Sequence, residues 1–289
     1  MNQYDIAILG GDRRIACMAP ILQSEGCRVI CYGTREEKGT VSSCAIAASL
    51  KEALETAGTV VCGIPFEKSG FLFCEDRLLI PITDLKRRLR KRQTLFAGII
   101  PEEFRQHCEE RNIRCFDFMK DEPLTLFNAI ATAEGAILEA LSHKETLLHQ
   151  SKCLVLGYGR CGSLIAERLK GLNAAVTVTV TRPAQLALAQ TKGFSTFPLS
   201  ELPKEIHKYD YIFNTIPACY LGMEALPNAR RDCLIIDVAS GKTGVDYQKA
   251  AELSLTCLFC PGLPGKYAAE SCAQRMAEYV LSNISRKGV

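Results

Sequence analysis

No uninterrupted apolar run in this 289-residue chain approaches the ~20 residues that a membrane-spanning helix needs. The opening string, Met1-Asn2-Gln3-Tyr4-Asp5, has neither the charged nor the apolar region of a signal peptide and leads straight into a strand pattern. Charge of one sign is scarce as well: the net charge is only +3, with no basic field large enough for nucleic acid. The fifteen cysteines lack the paired spacing of a disulfide or zinc framework, and they are expected as thiols in a reducing cytoplasm. Histidine is sparse, at His107, His143, His149 and His207.

Two local exceptions stand against this background. Cys257-x-x-Cys260 lies in an apolar run and reads as part of a buried strand in preference to a zinc or redox pair, because alternate strand residues point to opposite faces. Lys86-Arg87-Arg88-Leu89-Arg90-Lys91-Arg92 places six cations in seven residues after Thr83 and Asp84, both candidate N-caps of a short helix. It reads as a solvated helix face, the other reading being a docking patch for an acidic partner.

The hydrophobic content of 47% and charged content of 23% are ordinary for a globular chain, and the length suits two cores. Short apolar runs alternate with amphipathic stretches in the first part, predicting strands over 4–9, 28–32, 59–63, 94–99 and 113–116 and helices over 13–25, 47–56 and 102–111. A longer helical pattern over 124–149 suits a helix joining two domains. A second alternation then predicts strands over 153–156, 175–181, 211–214, 234–238 and 256–259, with helices over 161–172, 184–191 and 267–285. The fold class is α/β with two doubly wound parallel sheets. Its parts are a Rossmann-like or flavodoxin-like substrate domain over 1–123, an interdomain helix over 124–150, a dinucleotide-binding Rossmann domain over 151–266, and a C-terminal helix over 267–289 expected to pack back on the first domain.

The dinucleotide reading comes from context. Gly157-Tyr158-Gly159-Arg160-Cys161-Gly162 follows an apolar strand at once and opens an amphipathic helix, the arrangement that rests a pyrophosphate on a helix N-terminus. Where NAD sites place an acidic residue at the end of the second strand, this chain has Thr181-Arg182-Pro183. Thr181 can hydrogen-bond a 2′-phosphate and Arg182 can charge-pair with it, which favours NADP, with NAD retained as the other possibility. Asn214-Thr215-Ile216-Pro217 and Ala239-Ser240 end later strands, where open α/β sheets take ligands. The former is expected beside the nicotinamide ribose. Pro261-Gly262-Leu263-Pro264-Gly265-Lys266 reads as two turns framing a lysine, either a substrate loop or a structural turn.

In the first part, Gly10-Gly11-Asp12-Arg13-Arg14 opens a helix without dinucleotide spacing, and its two arginines suit a carboxylate or phosphate. Asn128 and Thr132 lie one helical turn apart and share a face.

These strings, together with Asn128 to Gly135 and Asp237-Val238-Ala239-Ser240, resemble the A subunits of dipicolinate synthases along nearly the whole chain. Thr132-Ala133-Glu134-Gly135 and Pro261-Gly262-Leu263-Pro264-Gly265 carry most of that resemblance. It implies oxidation of a dihydrodipicolinate-type intermediate to pyridine-2,6-dicarboxylate in the mother cell of a spore-forming bacterium. The partner it implies is a flavoprotein-like B subunit. A homo-oligomer is expected. Two places depart from the family pattern: Ala131 stands where proline is usual, and Gly241-Lys242-Thr243-Gly244 replaces an Arg-Pro-Gly-Gly turn.

For a dicarboxylate substrate, Arg13, Arg14 and Lys266 are the expected cations, with Asn128, Thr132 and Ser240 as further contacts. Glu134 and Asp12 are the candidates for proton transfer, each with the alternative of a plain surface or helix-end carboxylate. No metal is called for. A D-2-hydroxyacid dehydrogenase would need a catalytic histidine after a late strand, and none follows Val238; a short-chain dehydrogenase would need Tyr-x-x-x-Lys, which does not occur. Another two-domain dehydrogenase of a small carboxylate and a non-enzymatic NADP sensor are the alternatives.

Overall fold

Residues 3–34, 44–75 and 79–285 are described by the computed structural model; Met1 and Asn2 of the opening string lie outside them. The chain divides into two units, 1–127 with 268–289, and 128–267.

The first unit is built on strands β1 (Tyr4–Leu9), β2 (Val29–Tyr32), β3 (Ala45–Ile46) and β4 (Ala57–Cys62), a small antiparallel hairpin of β5 (Glu67–Lys68) and β6 (Phe71–Leu72), and strands β7 (Thr94–Ala97) and β8 (Arg114–Asp117). Its main sheet is parallel in the order β3-β2-β1-β4-β7-β8. Helices α1 (Arg13–Ser24), α2 (Leu50–Thr56), α3 (Ile82–Arg88) and α4 (Glu102–Glu110) alternate with these strands. Both faces of β1 and β4 are buried, which is why these strands read as apolar runs with no polar alternation. Asp12 starts α1 by accepting from the Arg14 amide at 3.0 Å, and Ile15, Met18, Ala19 and Leu22 give the helix its buried stripe.

The helix of the basic run starts earlier than its expected caps. α3 begins after Pro81 with no side-chain cap, so Thr83 and Asp84 lie inside its first turn. Asp84 there meets Arg87 at 2.8 Å, and Lys86 meets Glu103 at 2.7 Å.

The second unit contains β9 (Lys152–Leu156), α6 (Arg160–Gly171), β10 (Ala175–Val180), α7 (Pro183–Thr191), β11 (Ser195–Pro198), α8 (Leu202–Glu205), β12 (Tyr211–Asn214), β13 (Leu234–Asp237), α9 (Tyr247–Glu252), β14 (Thr256–Phe259) and α10 (Leu263–Tyr267). Its sheet is parallel in the order β11-β10-β9-β12-β13-β14, the doubly wound order of dinucleotide-binding folds. Leu154, Val155 and Leu156 have no exposed surface, and the same holds for Tyr211, Ile212 and Phe213 on the neighbouring strand. Cys257 packs with the cluster on one face of this sheet and Cys260 with the cluster on the other. Burial pushes the two thiols up to about 12 and about 11.

α5 (Glu122–His143) is shared, the division falling between Phe127 and Asn128. By length and composition it is apolar enough to cross a membrane, but 61% of its most apolar window is buried inside the protein. The pattern over 124–149 overran its end. After His143 the chain is drawn to the starts of two strands, where Lys144 donates to the carbonyls of Asp210 and Asp232 and Thr146 pairs with the Tyr211 hydroxyl. α11 (Ala269–Ser285) belongs to the first unit, where Ala273, Met276, Ala277 and Val280 join Ile15, Met18 and Leu22 of α1 in one core.

Candidate functional site

The turn from β9 into α6 has the geometry that its glycines foretell. Gly157 adopts φ 96°, a conformation that suits glycine, and a Cβ there would run into the Thr215 hydroxyl. A Cβ on Gly162 would overlap the Gly157 carbonyl, so this residue sets how closely helix and strand approach. Gly159 is the opposite case: a Cβ there would meet nothing within 4 Å. It is the N-cap of α6, a helix of twelve residues, and no side chain caps that end. An open, uncapped helix start bounded by two obligatory glycines fits a pyrophosphate, which needs amide donors and a close backbone approach. Arg160 is exposed and Cys161 half-buried beside it. Tyr158, expected among the cofactor contacts, sends its ring into the core against Phe194, with centroids 5.9 Å apart, and leaves only its backbone at the turn.

α5 approaches the same turn. Thr132 donates to the Asn128 carbonyl at 2.9 Å and stands beside the Cys161 thiol, whose pKa burial raises. Asn128 is buried. Gly135 lets α10 close on α5, since a Cβ there would press on Leu263 and Tyr267. Glu134 is exposed and meets Arg168 of α6 at 3.3 Å.

Beyond the ends of β10 and β11 lies a cavity of about 470 Å³ lined by Val180, Thr181, Leu199, Pro203, Tyr220 and Glu224 among others. Arg182, at the N-cap of α7, is exposed and forms no ion pair among the described residues. Thr181 and Arg182 stand where the sequence pattern puts them; Glu224, which joins the cavity from a loop after β12, carries no local signal.

At the ends of β12 and β13 a buried polar network fixes two loops. Asn214 and Asp237 have no exposed surface. The Asn214 amide grips the Ile216 peptide from both sides, donating to its carbonyl and accepting from its amide at 3.1 Å each, and it also donates to Asp237 Oδ1 at 2.9 Å. Asp237 Oδ1 accepts from the Ala239 amide at 3.1 Å, and Oδ2 accepts from the Tyr247 hydroxyl at 2.5 Å. Burial and that carboxylate drive the Tyr247 pKa well above its usual value. Thr215 donates to the Leu156 carbonyl at 2.8 Å, Pro217 and Ser240 are exposed, and Gly244 lies where a Cβ would strike the Asn214 amide. Neither Asp237 nor Tyr247 was expected in a site, although Asp237 stands inside one of the strings singled out.

The expected cations fare unequally. Lys266 lies on α10, a short helix where two turns were expected, and its ammonium is 2.5 Å from Glu139 Oε1. Tyr267 donates to the same oxygen at 2.8 Å. Burial pushes the Glu139 carboxyl up, and the bonds from Lys266 and Tyr267 more than offset this, so it ends below the ordinary value; Lys266 is held well above its own. Glu139 sits in an apolar helical pattern and was missed. In the first unit Arg14 is buried, its guanidinium donating to Asp12 Oδ2 at 2.9 and 2.6 Å, to Asp12 Oδ1 at 3.1 Å and to the Ile64 carbonyl at 3.0 Å. Asp12 thus serves as helix cap and counter-ion in place of an open base. Arg13 is half-buried at the first position of α1.

Known proteins share both the sequence of the first unit and the fold of the whole. Residues 5–119 match the family described as the N-terminal domain of the dipicolinate synthase A subunit. The chain is similar to the dipicolinate synthase A subunit of Bacillus subtilis (strain 168), at 31% identity over 190 residues that make up 66% of this chain and 64% of that one. The alignment thus spans just under two thirds of that relative's length. Among solved structures, the dipicolinate synthase A subunit from Bacillus halodurans superposes with a TM-score of 0.83 at 23% identity, covering 97% of each chain. A transhydrogenase from Sinorhizobium meliloti shares the fold with a TM-score of 0.63 at 15% identity, over 95% of this chain and 92% of that one.

Proposed function

From its standing as a relative of the dipicolinate synthase A subunit, in sequence over residues 5–119 and in fold throughout, we propose that this chain is a nicotinamide-dinucleotide-dependent dehydrogenase. Its substrate in this reading is a dihydrodipicolinate-type dicarboxylate, oxidised to pyridine-2,6-dicarboxylate. The observation that carries the proposal is the uncapped start of α6 between Gly157 and Gly162. A bound dinucleotide would supply the hydride acceptor at C4 of its nicotinamide.

The rest falls to the chain's own residues. The first-turn amides of α6 hold the pyrophosphate. Thr181, which lines the cavity that Glu224 also borders, and Arg182, next to it in the chain, receive the 2′-phosphate in our preference for NADP. Asn214, Ile216, Pro217 and Ala239 border the nicotinamide ribose, held rigid by Asp237. The substrate loses one hydride and one proton and becomes aromatic, so the step asks little of a base and depends mainly on positioning. Glu134, being exposed, is the candidate proton acceptor, while Asp12 is committed to Arg14. Arg13 remains our candidate for an anion in the first unit. The proposal is completed by a homo-oligomeric state, the cytoplasm of a spore-forming mother cell and a flavoprotein-like B subunit.

The test is direct. Purified protein given freshly made dihydrodipicolinate and NADP⁺ or NAD⁺ should generate reduced cofactor and dipicolinate in equal amounts. No reduction above the spontaneous rate, with or without the B subunit, overturns the reading.

A further inference from the structure

Lys242 lies in the loop that follows β13, on the half of the sheet formed by β12, β13 and β14. In a doubly wound dinucleotide fold each half of the sheet takes one mononucleotide, and the half beyond the switch in strand order takes the nicotinamide. A cation on this loop therefore stands at the reacting end of the bound cofactor.

The Lys242 side chain is exposed, and its ammonium forms no ion pair or hydrogen bond among the described residues. Its ammonium lies over the face of the Tyr247 ring, 4.8 Å from the centroid. A lone surface lysine ordinarily samples many rotamers in water. Here its seat is fixed from below. Tyr247 is tied to the fully buried Asp237, which is tied in turn to Asn214. The loop backbone is pinned on the other side, where the Thr243 hydroxyl donates to the Pro217 carbonyl at 3.3 Å and Gly244 leaves no room for a Cβ. Lys266, the cation expected for the substrate in this unit, is already neutralised by Glu139.

We propose that Lys242 is the residue that binds a carboxylate of the substrate beside the nicotinamide, with Tyr247 as its positioning residue. A ring face orients an ammonium without neutralising it, so the charge stays available to an incoming anion. This inference rests on the functional reading above and assigns to one residue the recognition of its dicarboxylate.

Lys242→Met and Lys242→Arg test it in the intact chain. For Lys242→Met the KM for dihydrodipicolinate should rise by about tenfold or more with kcat nearly unchanged, as for a contact made equally in ground and transition states. Calorimetry with pyridine-2,6-dicarboxylate as probe, at saturating oxidised dinucleotide, should register the same loss, and Lys242→Arg should recover most of it. Dinucleotide affinity should stay at the wild-type value. Unaltered dicarboxylate KM and affinity in Lys242→Met overturn the assignment alone, and so does a loss confined to the dinucleotide. Wild-type protein that takes up dinucleotide but neither binds nor produces pyridine-2,6-dicarboxylate overturns the functional reading and the Lys242 assignment together.

Discussion

Lys266 and Glu139, 127 residues apart in the chain, meet at 2.5 Å, with the carboxylate buried and the ammonium half in solvent. The pair fastens α10 to α5 at the place where Gly135 allows the two helices to touch. A lysine that the sequence offers to a substrate is thereby occupied inside the fold.

Removing that ammonium leaves a buried carboxylate with the Tyr267 hydroxyl and the more distant His143 ring. Lys266→Met should lower stability by about 1–3 kcal/mol at pH 7, the solvent around the half-exposed ammonium reducing the cost. The Glu139 pKa is depressed in the folded protein, so the stabilisation is fully present above the ordinary value of 4.5 and is lost as pH falls through the folded-state value. Urea unfolding of wild type and variant should converge in acid; a gap that is the same at pH 7 and pH 3 refutes the account.

Gly159→Ala separates folding from ligand binding. Its Cβ would meet no protein atom and its φ of −87° suits any residue, so the melting temperature should stay within the error of measurement. The methyl would stand where a pyrophosphate must approach, and dinucleotide affinity should fall about tenfold or more. Undiminished affinity by calorimetry would place the cofactor elsewhere.

Cofactor choice can be read as a ratio. Arg182→Asp should move the NADP-to-NAD affinity ratio toward NAD by about tenfold or more, since a charge-assisted hydrogen bond contributes about 1.5–3 kcal/mol. Glu224→Gln should move it the other way. A ratio indifferent to Arg182 removes that residue from the 2′-phosphate site.

Tyr247→Phe deletes the hydroxyl that Asp237 receives at 2.5 Å and should cost about 1–3 kcal/mol, a buried carboxylate losing one of its donors. The Tyr247 pKa is raised on folding, so this contribution is fully present below the ordinary tyrosine value and fades only as pH rises through the higher folded-state one. Equilibrium unfolding at pH 7 and pH 9 should therefore give the same difference; its disappearance by pH 9 would contradict the bond.

The two parallel sheets were legible because buried parallel strands are apolar throughout and alternate with helices, as β9, α6 and β10 do. The phosphate turn was legible because glycine is demanded there by backbone shape. Local pattern was silent where partners come from far along the chain. Glu139 looks like a stray charge on an apolar helix until Lys266 arrives, and Tyr247 looks like any first-turn aromatic until Asp237 is seen beneath it. β11 escaped notice because Ser195-Thr196-Phe197-Pro198 has too few apolar residues to announce a strand, and its pairing with β10 supplies what propensity does not. α10 escaped because two prolines and two glycines read as turns, whereas burial of Leu263, Pro264 and Gly265 against the core holds one helical turn in place.

The helix that closes the first unit's core comes last in the sequence, after the whole of 128–267. On a ribosome, therefore, the core that α1 shares with β1, β2 and β4 lacks the part of its cover supplied by Ala273, Met276 and Val280 until these leave the exit tunnel, by which time the second unit is already complete. The later-encoded unit is free to finish folding before the earlier one, and a nascent chain halted near residue 267 would expose a surface that chaperones recognise.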